Sequence, residues 1–471
     1  MLDIVQRLGG PAARHNITAA SWLIVEIGDD PPRLAGYHAL RRREFVELQG
    51  LFHGDDRDAA DLDPRTCTLA AMASDGRLLG GVRVHPAGPG AAEIGWWRGS
   101  RLVVGAEANG RRGEIGAALV RAACARALDL GALRFEAHVQ LRQTRYFERL
   151  GWSPAGEVAV AGQTHRRMRF DLGRFDALVG ATKEPLGELL GQLLPHDRWR
   201  GDDAVPVPGS DVVSCVDAIT PSMVERDPEW AGWCGMLVTA HDLAAMGARP
   251  IGALDALAAA DAAHASRVVE GIRRGAEAFD LPLLGGHTQL GVPAGLAVTG
   301  LGQSSAPVPS GGGRSGDAVT LTADLAGGWR PGYAGRQWDS TSWRTREELA
   351  PMLAAVRRAR PRAAKDVSMA GVIGTLSMLA EASGCGAELD VVSIPHPPAA
   401  LLADWLTCFP GFAVLSTDAP DGLPLPAGEA TSMECGELTD RPGVRLRWPD
   451  GEVTTVLAES AVSGLGAAAR G

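Results

Sequence analysis

Lysine is almost missing from this 471-residue chain: of 46 basic residues, all but Lys183 and Lys365 are arginine. Most of that bias reads as genomic composition, and arginine serves wherever positive charge alone is wanted. A lysine kept against it is mildly suggestive of a particular role. Other absences exclude whole classes. No apolar run approaches the roughly 20 residues that cross a bilayer, so no membrane partner is expected. The opening MLDIVQRLGG lacks the basic and apolar regions of a signal peptide, and a cytoplasmic location is expected. The seven cysteines stand singly, without a C-x-x-C pair, which suits a reducing compartment and argues against a disulfide framework or a structural zinc. No long basic stripe invites nucleic acid. No G-x-x-x-x-G-K-[ST] segment occurs, which excludes a P-loop.

What is present is an ordinary globular composition, 45% hydrophobic and 22% charged, in a chain long enough for two or three cores. Its charge is uneven. Residues 1–175 carry 24 basic and 20 acidic groups, a balance of +4, whereas residues 176–471 carry 22 and 36, a balance of −14. A boundary near residue 175 is expected, with a second at the Gly- and Pro-rich stretch Pro307–Gly316, PVPSGGGRSG, the most flexible-looking part of the chain. That gives domains at 1–175, 176–310 and 311–471.

In the first of these, His38–Phe52 has apolar residues at helical spacing, and two apolar runs joined by Ser74-Asp75-Gly76-Arg77 predict a hairpin. The segment VVGAEANGRRGEIGAAL, Val103–Leu119, places a Gly- and Arg-rich turn between a strand and a helix. Amides at a helix start, helped by the helix dipole, suit a pyrophosphate. The strand FEAHVQ and the ending YFERLGW follow. In this order the motifs resemble the GNAT N-acetyltransferase family over about residues 20–172. The resemblance implies acetyl-CoA (or another acyl-CoA) as cofactor and a strand at Val103 and Val104 holding the acetyl carbonyl. The pyrophosphate would lie on the turn of Arg111, Arg112, Gly113, Gly116 and Ala117, with a tyrosine as general acid. Two features depart from the family pattern. Glu114 stands where the first glycine of the turn is expected, and Tyr146 precedes Phe147, one place out of register. Glu93, Glu136 and His138 are the candidates for a base; Glu136 and His138 share one face of an alternating strand. Each has an alternative as a solvent-facing or neighbour-satisfied group.

The remainder carries carboxylates at the ends of apolar runs: Asp202 and Asp203 in GDDA, Asp217 in SCVDA, Asp242 in HDLAAMGARP and Asp366 in KDVSMAG. Oxygen-only side chains in a glycine-rich setting suit Mg²⁺, which bridges nucleotide phosphates. Any single aspartate could equally be a cap or turn residue. Together with Leu284-Gly285-Gly286-His287-Thr288, the series resembles the superfamily of aminoimidazole ribonucleotide synthetase, thiamine-monophosphate kinase, selenophosphate synthetase and the hydrogenase-maturation carbamoyl dehydratase, over about residues 183–460. The resemblance implies a two-subdomain α/β fold, normally dimeric, with ATP near the intersubunit surface. Asp202, Asp203, Asp217, Asp242 and Asp366 would hold metal and phosphate. Gly285, Gly286, His287 and Thr288 would form a phosphate-side turn, and Lys365 would face the site of the second subdomain. His287 could ligate, shuttle a proton or bond to a backbone carbonyl. The segment Trp329–Trp343, with Arg330, Arg336 and Asp339, reads equally as a substrate loop or a packed surface loop. No single member fits, because the reactive cysteines of the selenophosphate and dehydratase branches are missing.

The expected fold is therefore α/β (α+β): a GNAT-like mixed sheet, then a two-subdomain synthetase-like domain. The expected function is bifunctional. An N-acyltransferase acting on an amine is joined to a Mg-ATP-dependent kinase- or cyclodehydratase-type domain that activates an amide or carbonyl oxygen of a small molecule. The alternatives for the first domain are a non-catalytic acyl-CoA sensor and a dimerisation scaffold.

Overall fold

The computed structural model describes residues 22–420, 422, 425–458 and 462–469. The chain divides into two compact units, Met1–Leu172 and Gly173–Gly471.

In the first unit, β1 (Trp22–Glu26) leads into α1 (Pro31–Arg41), which Asp30 caps by accepting a hydrogen bond from the Arg33 N–H. Then come β2 (Cys67–Ala73), β3 (Leu78–Pro86), β4 (Trp96–Val104), α2 (Arg112–Asp129), β5 (Arg134–Gln140), α3 (Thr144–Glu148), β6 (Trp152–Val160) and β7 (Gln163–Phe170). They form one seven-stranded sheet in the order β1-β2-β3-β4-β5-β7-β6, with only the β4–β5 pair parallel. That pairing covers Trp96–Gly99 against Arg134–Ala137 and then stops. Beyond it Val103 and Val104 pair only with Gly81 and Gly80 of β3, while Val139 and Gln140 pair only with β7. The sheet therefore splits between its two central strands. Arg101, at φ 52°, absorbs a register shift in β4 where the strands part.

The second unit begins with α4 (Arg174–Thr182) and α5 (Leu186–Leu190). It continues through β8 (Val205–Pro206), β9 (Val212–Ile219), α6 (Pro221–Arg226), α7 (Pro228–Ala245), β10 (Arg249–Ala259), α8 (Ala262–Ala278), β11 (Leu283–Leu290) and β12 (Gly295–Gln303). The five strands order as β11-β10-β12-β9-β8. Helix α7 is apolar on nearly every side because it lies between this sheet and α8. Gly232 and Gly271 make the close crossing of α7 and α8 possible, since a β-carbon on either would run into backbone of the other helix.

Beyond β12 come β13 (Ala318–Ala323), β14 (Gly328–Trp329), β15 (Gln337–Asp339), α9 (Arg346–Leu353), α10 (Ala355–Ala359), β16 (Ala363–Asp366) and α11 (Gly371–Ser383). The last elements are β17 (Gly386–Asp390), α12 (Leu402–Thr407), β18 (Phe409–Pro410), β19 (Ala413–Asp418), β20 (Thr431–Thr439), β21 (Val444–Arg447) and β22 (Val453–Leu457). A second seven-stranded sheet runs β16-β19-β13-β20-β17-β21-β22, and β14-β15-β18 form a small third one.

Two expectations are corrected here. The stretch Pro307–Gly316 is not a loose hinge: Ser310 is buried, and Gly311, Gly312 and Gly313 lie so close to their neighbours that none has room for a β-carbon. Its glycines serve contact, which composition alone does not separate from flexibility. Residues Gly285–Thr288 are not a turn but the middle of β11, paired in parallel with β10 at the sheet edge. Gly286 sits against Asp255, with no space for a side chain between them.

Candidate functional site

The carboxylates spread along the second unit meet in one place. Asp203, Asp242 and Asp366 each bring an oxygen within 4.8 Å of the others, and Asp217, Asp242 and Cys215 form an overlapping trio. The elements explain the convergence. Asp217 stands on β9, Asp242 faces it from the last turns of α7, Asp366 ends β16, and Asp202 and Asp203 occupy the loop before β8.

That loop is latched. The Lys365 Nζ donates to Gly201 O at 3.1 Å and to an Asp203 oxygen, and the Asp366 N–H donates to the other Asp203 oxygen at 2.9 Å. The Asp202 Oδ1 accepts from both the N–H and the hydroxyl of Ser310, whereas its Oδ2 is buried without a partner. The Asp217 Oδ2 is likewise buried and unpartnered. Cys215 keeps its proton: burial and then Asp217 push its thiol up to about 12.

Burial, reinforced by Asp366 and Asp217, holds Asp242 well above the usual carboxylate range. Burial and Asp203, opposed by Lys365, do the same to Asp366. Asp202 is pushed up to about 6, chiefly by burial. Lys365 alone does not balance this much buried negative charge. Carboxylate oxygens gathered at such a spacing, beside a Cys215 thiol that burial keeps protonated, fit a hard divalent cation. Sequence reasoning left Lys183 out of this site; it follows α4 and lies within electrostatic reach of Asp366, Asp203 and Asp217. The scarcity of lysine was the signal that could have placed it.

Among the described residues His287 does not join the carboxylate cluster. With Gly285, Gly286 and Thr288 it lies on an exposed strand, whose sheet also presents Val216, Leu254, Leu284 and Leu290 to solvent. The Trp329–Trp343 segment packs against the start of α7, where Trp230 Nε1 donates to Gln337 Oε1 at 2.6 Å. Arg330 stacks on Trp230 at 4.3 Å and pairs with Asp227 at 3.2 Å, while Asp339 accepts from Ser342. Trp338 is buried and Arg336 is exposed.

In the first unit Val103 is buried and Val104 half-buried, both in the β4 arm of the split. Arg112, Gly113, Gly116 and Ala117 form the first turns of α2, after Arg111. Arg111 pairs with Glu114 at 3.0 Å across that turn, so the acidic side chain is held by its neighbour. Tyr146 leans against Gly116, and its hydroxyl donates to Gly113 O at 2.8 Å. Burial raises its pKa. Glu136 is buried, with its carboxylate 3.0 Å from Arg134 and accepting from the Trp96 Nε1 at 3.0 Å. His138, on the same face, is pushed down to about 4 by burial and then by Arg98, His165 and Arg167, so its ring is neutral near pH 7. Glu93 is an exposed partner of Arg65 at 2.9 Å.

Residues 201–304 match the AIR synthase related protein, N-terminal domain family, and residues 314–449 match its C-terminal domain family. An uncharacterised protein of Synechocystis, sll0787, is 35% identical over 230 residues, 47% of this chain and 70% of that protein. The chain belongs to the AIR-synthase-related family. Both matched segments lie in the second unit. A thiamine-monophosphate kinase of Rhodopirellula baltica is 32% identical over 210 residues, 43% of this chain and 63% of the kinase. Among solved structures, T. maritima PurL complexed with AMPPCP superposes with a TM-score of 0.50 at 17% identity, covering 63% of this chain and 51% of that one, a likeness of fold. Among the described residues no helix is long and apolar enough to cross a membrane.

Proposed function

We propose that this AIR-synthase-related chain is a bifunctional small-molecule enzyme. Its second unit would bind Mg-ATP at the carboxylate cluster and use the γ-phosphoryl group to phosphorylate or activate an amide or carbonyl oxygen. The observation that carries this is the meeting of Asp203, Asp217, Asp242 and Asp366, with carboxylate oxygens left buried and unpaired. Mg²⁺ held by those four would supply charge neutralisation at the phosphates. Asp202 acts one step back, fixing the loop through Ser310, and Lys365 positions Asp203. Thiamine-monophosphate kinase and selenide, water dikinase among the relatives support a phosphoryl-transfer activity. The uncovered apolar strand face around Val216, Leu254 and Leu284 supports a homodimer.

The first unit would be a GNAT-like acyl-CoA-dependent N-acyltransferase. The split between β4 and β5, followed by the α2 N-terminus at Arg112, supports it. His138, half-buried and neutral, is then a more available base for an amine than Glu136, whose carboxylate is occupied. A second interpretation, an acyl-CoA sensor without turnover, is favoured by the Arg111–Glu114 pair sitting across the pyrophosphate turn. Release of free CoA in the presence of an amine panel separates the two: a catalyst releases it, a sensor binds without release.

Titrating Mg-ATP into the full chain by calorimetry tests the main assignment. Magnesium-dependent binding is expected; a folded protein that binds no nucleotide would sink it.

A further inference from the structure

Lys183 comes directly after α4, its N–H donating to Val179 O at 2.8 Å. Helix α4 is firmly docked: Phe175 and Val179 are buried, Val179 packs at Gly374 of α11, and Arg174 pairs with Asp404 at 3.3 Å. Because α11 begins at Gly371, just beyond Asp366, this docking brings the end of α4 to the carboxylate cluster. The half-buried Lys183 side chain has no hydrogen bond or ion pair among the described residues. Its charged neighbours are Lys365, Asp366, Asp203 and Asp217. Both lysines of the chain thus stand at one site, and they differ in availability. Lys365 is committed to Gly201 O and Asp203; Lys183 is not. Lys183 also precedes the family-matched segment, which begins at residue 201.

We propose that the Lys183 ammonium is the cationic contact for the terminal phosphate of the nucleotide held at this cluster. The proposal rests on the Mg-ATP assignment and names one residue for one phosphate. A nucleotide triphosphate brings more negative charge than its metal ion neutralises, and the aspartates can only add to it. A phosphate entering beside them needs a donor that no carboxylate already holds. An ammonium offers three N–H donors on a flexible stem and acts as a compact point charge.

The test is a pair of affinities, Mg-ATP and Mg-ADP, measured by calorimetry on the full chain for wild type, Lys183→Gln and Lys183→Arg, with thermal melts as the folding control. Lys183→Gln is expected to weaken ATP about tenfold or more while leaving ADP within about twofold, since only ATP carries the contacted group. Lys183→Arg keeps the charge and should shift the ATP-to-ADP ratio the same way by a smaller factor. Equal losses for both nucleotides in a folded variant, or no loss for ATP, would overturn the contact while leaving Mg-ATP binding intact. If Lys183→Gln does not fold, the Lys183→Arg ratio decides, and an unchanged ratio overturns the proposal. Wild-type protein that binds neither nucleotide overturns the Mg-ATP assignment itself, and this contact with it.

Discussion

The two units bury ionised groups in opposite ways. In the first, Arg41 lies between Asp56 and Asp61 at 2.7 and 2.6 Å, Arg83 meets Asp58 and Asp61 at 2.7 and 2.8 Å, and Arg134 holds Glu136 at 3.0 Å. Each buried cation there has an anion, although the Asp56 Oδ1 is left without a hydrogen bond, and the set ties α1, the loop after it and the sheet together. In the second, the aspartates outnumber the one lysine among them that makes ion-pair contact, and oxygens of Asp202 and Asp217 face no donor. A protein interior that balances its own charge is finished as it stands; one that does not is built around something it lacks. Burial of charge alone therefore says little about function, and the local balance says more.

The largest effect that would break this contrast belongs to the first unit. Arg41→Met should take one of two arginine partners from each of Asp56 and Asp61, leaving Arg101 and Arg83, and cost about 3 kcal/mol or more in a urea or thermal melt, as when one side of a buried ion pair is removed. A loss under about 1 kcal/mol would mean that the network is ornamental. In the second unit Asp242→Asn should behave in reverse. It should weaken Mg-ATP binding tenfold or more, about 1.4 kcal/mol, yet leave the metal-free protein as stable or more so, because one repelled carboxylate is gone. A variant that loses stability without magnesium would show that Asp242 is a structural anion after all.

The pH response should also carry opposite signs. Asp202 has its pKa raised to about 6 from about 3.8, chiefly by burial. Its proton is bound more tightly in the folded chain, so its stabilising contribution is present below about 3.8 and lost as pH rises through about 6. Asp58 and Asp61 start from burial, which raises them, but Arg83 and Arg101 hold Asp58, and Arg41 and Arg83 hold Asp61, below the ordinary value. Their contribution is present above about 3.8 and lost as pH falls through the lowered values. Melts of the metal-free protein on acidification past about pH 6 should show the second unit gaining stability before the first begins to lose it, and magnesium should suppress the gain. The same sign in both units would refute the contrast. The smallest effect is expected at the exposed pair on α2. Glu114→Gln removes the negative charge beside that turn and should leave the melting temperature unchanged while tightening acyl-CoA at low salt by a few-fold. Unchanged or weaker acyl-CoA affinity would argue against a pyrophosphate at that turn.

The aspartates were readable in the sequence because each ends an apolar run and their order is distinctive. Their meeting point was not, since the partner of Asp203 lies more than 160 residues away, at Lys365 and Asp366. The hairpin of the first unit follows from turn chemistry, whereas the helix expected over His38–Phe52 starts earlier, at Pro31, and ends as a π-helix at Leu48. Where glycines were read as a turn, at Gly285-Gly286, or as flexibility, at Gly311-Gly312-Gly313, they give neighbouring atoms room to approach. Composition does not distinguish these uses, because both require the missing side chain. Lys183 was marked only by rarity; its docking through α4 depends on α11, which lies far along the chain.

The latch joining Gly201 and Asp203 to β16 also has a meaning for biosynthesis. While the chain is being made, the early aspartates emerge long before Lys365 and Asp366, so a nascent second unit has its first sheet but half a site. Nucleotide affinity would appear only when β16 has been delivered and closed against the loop. In a growing chain, binding of ATP would therefore report completion of the fold, and ligand present at that moment would pull the closure forward by mass action.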